Sequence, residues 1–135
     1  MDELAFTHFK HNIYSTTYMH LVNGLENVKF INQYAFYGCN LQGEIELDNA
    51  AAIGNYAFAN CVNLEYARFP SNSSIKALGD HVFYNCRSLK QFDMPVAVQK
   101  VGDSAFEGCT GLETLNLTPN NQHVLLALLG DNVFK

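Results

Sequence analysis

One stretch, Asn55-Tyr56-Ala57-Phe58-Ala59-Asn60-Cys61-Val62-Asn63-Leu64, returns in variant form along most of the chain, and a chain built from such copies has few folds open to it. Aligned on phenylalanine, the copies fall at Phe36, Phe58, Phe83, Phe106 and Phe134, separated by 22, 25, 23 and 28 residues. Spacings in the twenties mark a solenoid, because a unit that short cannot bury its apolar side alone and must stack on the next. A small or β-branched residue precedes each phenylalanine (Ala35, Ala57, Val82, Ala105, Val133), and a cysteine follows three residues after the first four (Cys39, Cys61, Cys86, Cys109). Aliphatic residues recur five positions before it, at Ile31, Ile53, Leu78, Val101 and Leu129.

Each recurring position has a physical reading. Ile45 and Leu47, Ala67 and Phe69, Phe92 and Met94, and Leu115 and Leu117 are apolar pairs two residues apart, which mark a short strand with one buried face. One strand per coil is therefore expected. Gly54-Asn55, Gly79-Asp80, Gly102-Asp103 and Gly130-Asp131 precede the phenylalanines, with Asn32-Gln33 as a degenerate copy, and Asn or Asp there suits the N-cap of a short helical turn. Two residues after the phenylalanine stand only Gly38, Asn60, Asn85 or Gly108, the residue types that accept a left-handed conformation and end such a turn.

With these positions in place, the chain resembles the BspA-like leucine-rich repeats, whose units run from Cys through Leu and an apolar-x-apolar strand, often ended by Pro, to an Ile and an Ala-Phe pair. Between Cys61 and Phe106 the match is close: Leu64, Leu89 and Leu112 take the Leu position, and Pro70 and Pro95 end their strands. After Cys39 the leucine comes one residue early, at Leu41, which suggests a one-residue deletion in that loop. The expected fold is an α/β, right-handed leucine-rich-repeat solenoid with a parallel strand ladder on one side and short helical turns on the other. Residues 1–24 are expected as an atypical capping segment, since a first coil would otherwise expose its apolar cross-section and strand edge. Residues 25–135 then hold four to five coils, the last incomplete or acting as a C-terminal cap. Phe6, Phe9, Ile13 and Tyr14 are spaced for one helical face within the cap, and residues 18–21 suit a first strand.

Composition narrows function. The chain has 135 residues, 48% hydrophobic and 16% charged, enough for one domain with a continuous core. A net charge of -5 without a Lys/Arg cluster argues against nucleic acid, whose phosphates need several basic contacts on one face. No run approaches the ~20 apolar residues of a membrane span, and the N-terminus carries no basic region followed by an apolar core. His8 and His11 lie three apart without a third ligand at metal-type spacing, so surface histidines in a cap account for them, and neither metal nor cofactor is expected. The four cysteines follow the repeat rather than a Cys-x-x-Cys pattern, which favours buried thiols over zinc or disulfides. Asn72-Ser73-Ser74 and Asn116-Leu117-Thr118 have the form of glycosylation sequons.

Contacts are expected on the outward strand positions, the surface that solenoids offer to partners. These are Tyr18 and His20, then Glu44, Glu46 and Asp48, then Tyr66 and Arg68, then Gln91 and Asp93, then Thr114 and Asn116. The carboxylates at 44, 46 and 48 suit a basic partner, a loosely held calcium ion, or a solvated face. Tyr66 and Arg68 are of types enriched at binding hot spots. Catalytic residues are not expected: the chain has no Gly-x-Ser-x-Gly, no His-Glu-x-x-His and no phosphate-cradling Gly loop, and His20 with Glu44 is the best acid–base pair available. The expectation is a non-enzymatic module that binds a protein ligand. The resemblance implies adhesion at the cell surface or as a secreted protein; the alternative is a structural spacer that stacks through its ends. Residues 124–129, the most apolar run, would then either close the stack or mediate end-to-end self-association through residues 124–135.

Overall fold

The computed structural model describes Ala5–Phe6 and residues 27–122. Nine short strands are described: β1 Ala5–Phe6, β2 Phe30–Ile31, β3 Gly43–Glu46, β4 Ala52–Ile53, β5 Leu64–Arg68, β6 Ala77–Leu78, β7 Gln91–Asp93, β8 Lys100–Val101 and β9 Thr114–Asn116. All pairing is parallel and joins equivalent residues of neighbouring coils, as in Ile31↔Ile53, Leu78↔Val101, Glu46↔Arg68 and Asp93↔Asn116. The chain is a repeat solenoid. Each complete coil carries two strands, however, not one. β3, β5, β7 and β9 form the expected ladder, paired β3–β5 and β7–β9. The two-residue strands ending on Ile31, Ile53, Leu78 and Val101 form another, paired β1–β2–β4 and β6–β8.

The expected helical turn is built differently. No α-helix is found among the described residues; residues 33–38, 55–60, 80–85 and 103–108 are successive reverse turns. In the first of them Ala35, Tyr37 and Cys39 donate N–H back three residues, to Asn32, Tyr34 and Phe36, at 3.0–3.2 Å. The alternate amides, of Tyr34, Phe36 and Gly38, donate instead to Asn55, Ala57 and Ala59 of the next coil. The same three bonds recur at both following interfaces, nine in all at 2.7–3.0 Å. A helical turn cannot do this, because it points every N–H along its own axis. Alternation requires left-handed residues on both sides of the phenylalanine: Gly38, Asn60, Asn85 and Gly108 after it, as expected, and Tyr34, Tyr56, His81 and Ser104 two residues before it, with φ of 56–61°.

The residues expected as N-caps bridge coils. Asn55 Oδ1 accepts the N–H of Asp80 at 2.8 Å, and Asp80 Oδ1 accepts that of Asp103 at 2.9 Å. The glycine before each is required by this approach: a Cβ on Gly79 would lie 2.5 Å from Asn55 Oδ1 and 3.0 Å from its nitrogen.

Inside, Phe36, Phe58, Phe83 and Phe106 stack nearly parallel, with centroids 5.4, 5.5 and 5.8 Å apart. All four are at most 1% exposed, and Ile45, Leu47, Ala67, Phe92 and Met94 pack around them. The cysteines form a column beside this spine, and none is in a disulfide. Each thiol of Cys61, Cys86 and Cys109 donates to the phenylalanine carbonyl one coil back, at 3.1 Å to Phe36, Phe58 and Phe83. Burial pushes Cys61 and Cys86 well above the ordinary thiol range and Cys109 to about 12.

Coil length varies at one place. The loop between the strand's second inward residue and the next core aliphatic spans residues 48–49, 70–74 and 95–97, which accounts for the spacings of 22, 25 and 23. The early Leu41 is not a deletion: Ile45 still lies six residues after Cys39, as Ala67 does after Cys61. A register shift between Gly43 and Glu44, with Gly43 at φ +72°, absorbs the difference and leaves Leu41 fully buried. At the N-terminus Phe6 is extended and pairs with Ile31 rather than lying on a helical face. Phe9, Ile13 and Tyr14 lie outside the described residues.

Candidate binding face

Because side chains alternate along a strand, the inward positions of Ile45, Ala67, Phe92 and the partly buried Leu115 turn their neighbours outward. The register then sets Glu44 beside Tyr66 and Glu46 beside Arg68, and Gln91 beside Thr114 and Asp93 beside Asn116. Eight of the nine expected residues among the described ones therefore lie on one face, and Asp48 stands just past the end of β3. Tyr18 and His20 lie outside the described residues, and with them the pairing of His20 with Glu44.

Two side-chain networks cover this face. In one, Arg68 Nε donates to Glu44 Oε2 at 2.6 Å, a second guanidinium nitrogen also meets that oxygen, and a third lies 3.6 Å from Glu46 Oε2. The three side chains are 39–52% exposed, so water screens them and the pairs contribute little to stability. In the other, Asp93 collects donors: the Tyr66 hydroxyl on Oδ2, Asn116 Nδ2 on Oδ1 at 2.7 Å, and Gln91 Nε2 on both oxygens at 3.0 and 3.2 Å. Partial burial pushes the Asp93 carboxyl upward, and the hydrogen bonds from Tyr66, Asn116 and Gln91 outweigh it, so its pKa lies below the usual carboxylate value. Tyr66 is pushed up to about 12 by that hydrogen bond first, then by burial and the Asp93 charge. The face thus carries fixed negative charge at Asp93 and an exchangeable clasp at Arg68.

Tyr66 and Arg68 each engage a neighbouring coil, Tyr66 reaching forward to Asp93 and Arg68 back to Glu44. Sequence reasoning missed the ends of the face. Where the strands begin, an open groove of about 640 Å3 lies between Glu65, Arg87, Ser88, Lys90, Gly111 and Glu113, with Lys90 3.5 Å from Glu65. Where they end, a groove of about 220 Å3 lies among Phe69, Pro70, Met94, Pro95 and Val96. Proline at both strand ends was the available signal. On the turn side, Tyr34, Tyr56 and His81 stack at 4.8 and 4.5 Å, with Tyr37 and Tyr84 tilted against them. Tyr56 is stacked on both faces, so the column packs coil against coil.

Comparison with known proteins follows the same pattern. Residues 7–135 match the BspA type leucine rich repeat region in six copies. The chain belongs to that family. The match begins inside the segment expected as a cap. A leucine-rich repeat protein from Bacteroides capillosus ATCC 29799 has a similar solved structure, with a TM-score of 0.57 and 28% identity over 67% of this chain and 64% of that one. A leucine rich cell surface protein from Faecalibacterium prausnitzii A2-165 aligns with a TM-score of 0.49 and 23% identity, over 70% of this chain and 32% of that one. The leucine rich repeat protein of T. pallidum aligns with a TM-score of 0.49 and 24% identity, over 66% and 63%. No curated protein sequence matches the chain.

Proposed function

From membership of the BspA-type leucine-rich repeat family, we propose that this chain is a right-handed solenoid that binds a protein partner without catalysis, through the outward face of β3, β5, β7 and β9. The observation that carries this reading is the Glu44–Arg68–Glu46 clasp beside the Asp93 network. Charged and aromatic groups are concentrated there in contacts that contribute little to folding. A partner exchanges those contacts for its own at small cost. Adhesion at a cell surface is the form of binding implied by the resemblance. The test is a set of three variants, Glu46→Lys, Tyr66→Ala and Arg68→Glu, measured by biolayer interferometry against a panel of extracellular-matrix and cell-surface proteins. The reading expects bound partners to be lost while each variant's urea melt stays close to that of the natural chain. Unchanged binding by folded variants overturns it.

A second reading is favoured by the last described coil. Cys109, Leu112, Leu115 and Leu117 are only partly buried, whereas Cys86, Leu89 and Phe92 one coil earlier are 0% exposed and Met94 3%. Apolar surface on a coil's end suits stacking on a further coil or a second copy, the spacer role. Self-association through residues 124–135 falls outside the described residues. Light scattering over a wide concentration range separates the two readings: constant mass near 15.1 kDa removes end-on stacking, and mass that rises with concentration supports it.

A further inference from the structure

The groove at the strand ends lies beside two loops of unequal length. Pro70 and Pro95 stand just past β5 and β7 and carry no N–H to continue the ladder. Beyond Phe69 the chain runs through residues 70–74 before returning to the core at Ile75; beyond Met94 it runs only through residues 95–97 before Val98. Between these loops of different length lies a space of about 220 Å3 among Phe69, Pro70, Met94, Pro95 and Val96. Leu47, the equivalent of Phe69 in the coil with a two-residue loop, is 0% exposed, while Phe69 is only partly buried.

This space is smaller than the ~300–1,000 Å3 of small-molecule sites and suits one bulky apolar side chain. Asp93 lies on its rim, held ionised by three donors. Asp48 fills, in the preceding coil, the position of Pro70 and Pro95. Glu44 and Glu46 already engage Arg68, so the face beside the groove is net negative.

We infer that this groove is the anchor subsite of the outward face, taking a bulky aliphatic or aromatic residue from a partner segment in which lysine or arginine is adjacent. The inference rests on the reading of that face as a protein-binding surface, and it adds the class of segment bound. The probe is a phage-displayed random heptapeptide library selected on the full chain, with enriched peptides synthesised and measured by fluorescence polarisation. Enriched peptides are expected to pair an apolar residue with a basic one. Their affinity is expected to fall at least about tenfold with Ser71→Trp, which crowds the groove from its exposed rim, and with Val96→Lys, which adds like charge. Asp93→Asn is expected to weaken binding and flatten its salt dependence between about 0.05 and 0.5 M. Ser71 is exposed and Val96 partly so, and a urea melt of each variant checks that the fold is retained. Enrichment of acidic or uncharged peptides, or affinity unchanged in both groove variants, overturns the inference. A library that returns no binder overturns it as well, and the Glu46, Tyr66 and Arg68 variants against whole proteins then still decide the reading of the face.

Discussion

Replacing Tyr56 by glycine and by alanine separates two forces that meet at one residue. Tyr56 has φ +60°, and its ring stacks on Tyr34 at 4.8 Å and on His81 at 4.5 Å, with interplanar angles of 12° and 5°. A left-handed conformation costs a non-glycine residue roughly 1–2 kcal/mol, while each aromatic pair returns about 0.5–1.5 kcal/mol beyond the area it buries. Tyr56→Ala loses both pairs and keeps the strain, so it is expected to destabilise by about 1–3 kcal/mol. Tyr56→Gly loses the same pairs but releases the strain, partly offset by the greater freedom of glycine in the unfolded chain. The glycine variant is therefore expected to be the more stable of the two by about 1 kcal/mol, the reverse of the order in an ordinary helix or strand. Urea melts followed by far-ultraviolet circular dichroism and by tyrosine fluorescence measure this, provided the two probes coincide. Alanine equal to or more stable than glycine refutes the left-handed assignment. A glycine variant more stable than the natural chain refutes the contribution of the stack.

Further outcomes follow from the core and the titrating groups. Phe83→Ala removes the ring between Phe58 and Phe106 at a fully buried site, and a urea melt is expected to show a loss of about 3–5 kcal/mol. Tyr66 has its pKa raised to about 12 in the fold, so its hydroxyl contributes stability that is complete below the unfolded value near 10 and lost as pH rises from about 10 to 12. Its side chain is partly exposed, so screening reduces the loss to about 1 kcal/mol, and pH-dependent melts of Tyr66→Phe are expected to lack that loss. Asp93, held low, works in the opposite direction: its contribution is present above about pH 4 and disappears on further acidification. At pH 8 a disulfide-exchange reagent is expected to modify Cys61 and Cys86 only as fast as the chain opens, since both are buried and burial holds them protonated.

The features legible in the sequence are those written in side chains. The phenylalanine spine, the cysteine column and the inward pairs such as Phe92 and Met94 each need one residue type at one position, so the repeat displays them directly. Asn60 and Asn85 were readable as left-handed because asparagine favours that region; Tyr34, Tyr56, His81 and Ser104 were not, because nothing in their chemistry asks for it. The second ladder escaped for another reason. β4 and β8 are two residues long, with one residue in and one out, too short for alternation to register. The nine inter-coil amide bonds leave no mark at all, since every residue but proline can supply them. On the face, alternation identified Glu44, Glu46, Tyr66, Arg68, Gln91, Asp93, Thr114 and Asn116. Their partners depend on which coil each side chain leans toward, which only the packed structure decides.

The outward strand face, and not the aromatic turn column, is expected to meet the partner. Benzoylphenylalanine placed at Tyr66 in one sample and at Tyr37 in another, followed by irradiation with the matrix and surface protein panel, tests it most directly. A saturable crosslink to a discrete protein is expected from position 66, competed by the unlabelled chain, and none from position 37. Crosslinking from position 37 alone would contradict it.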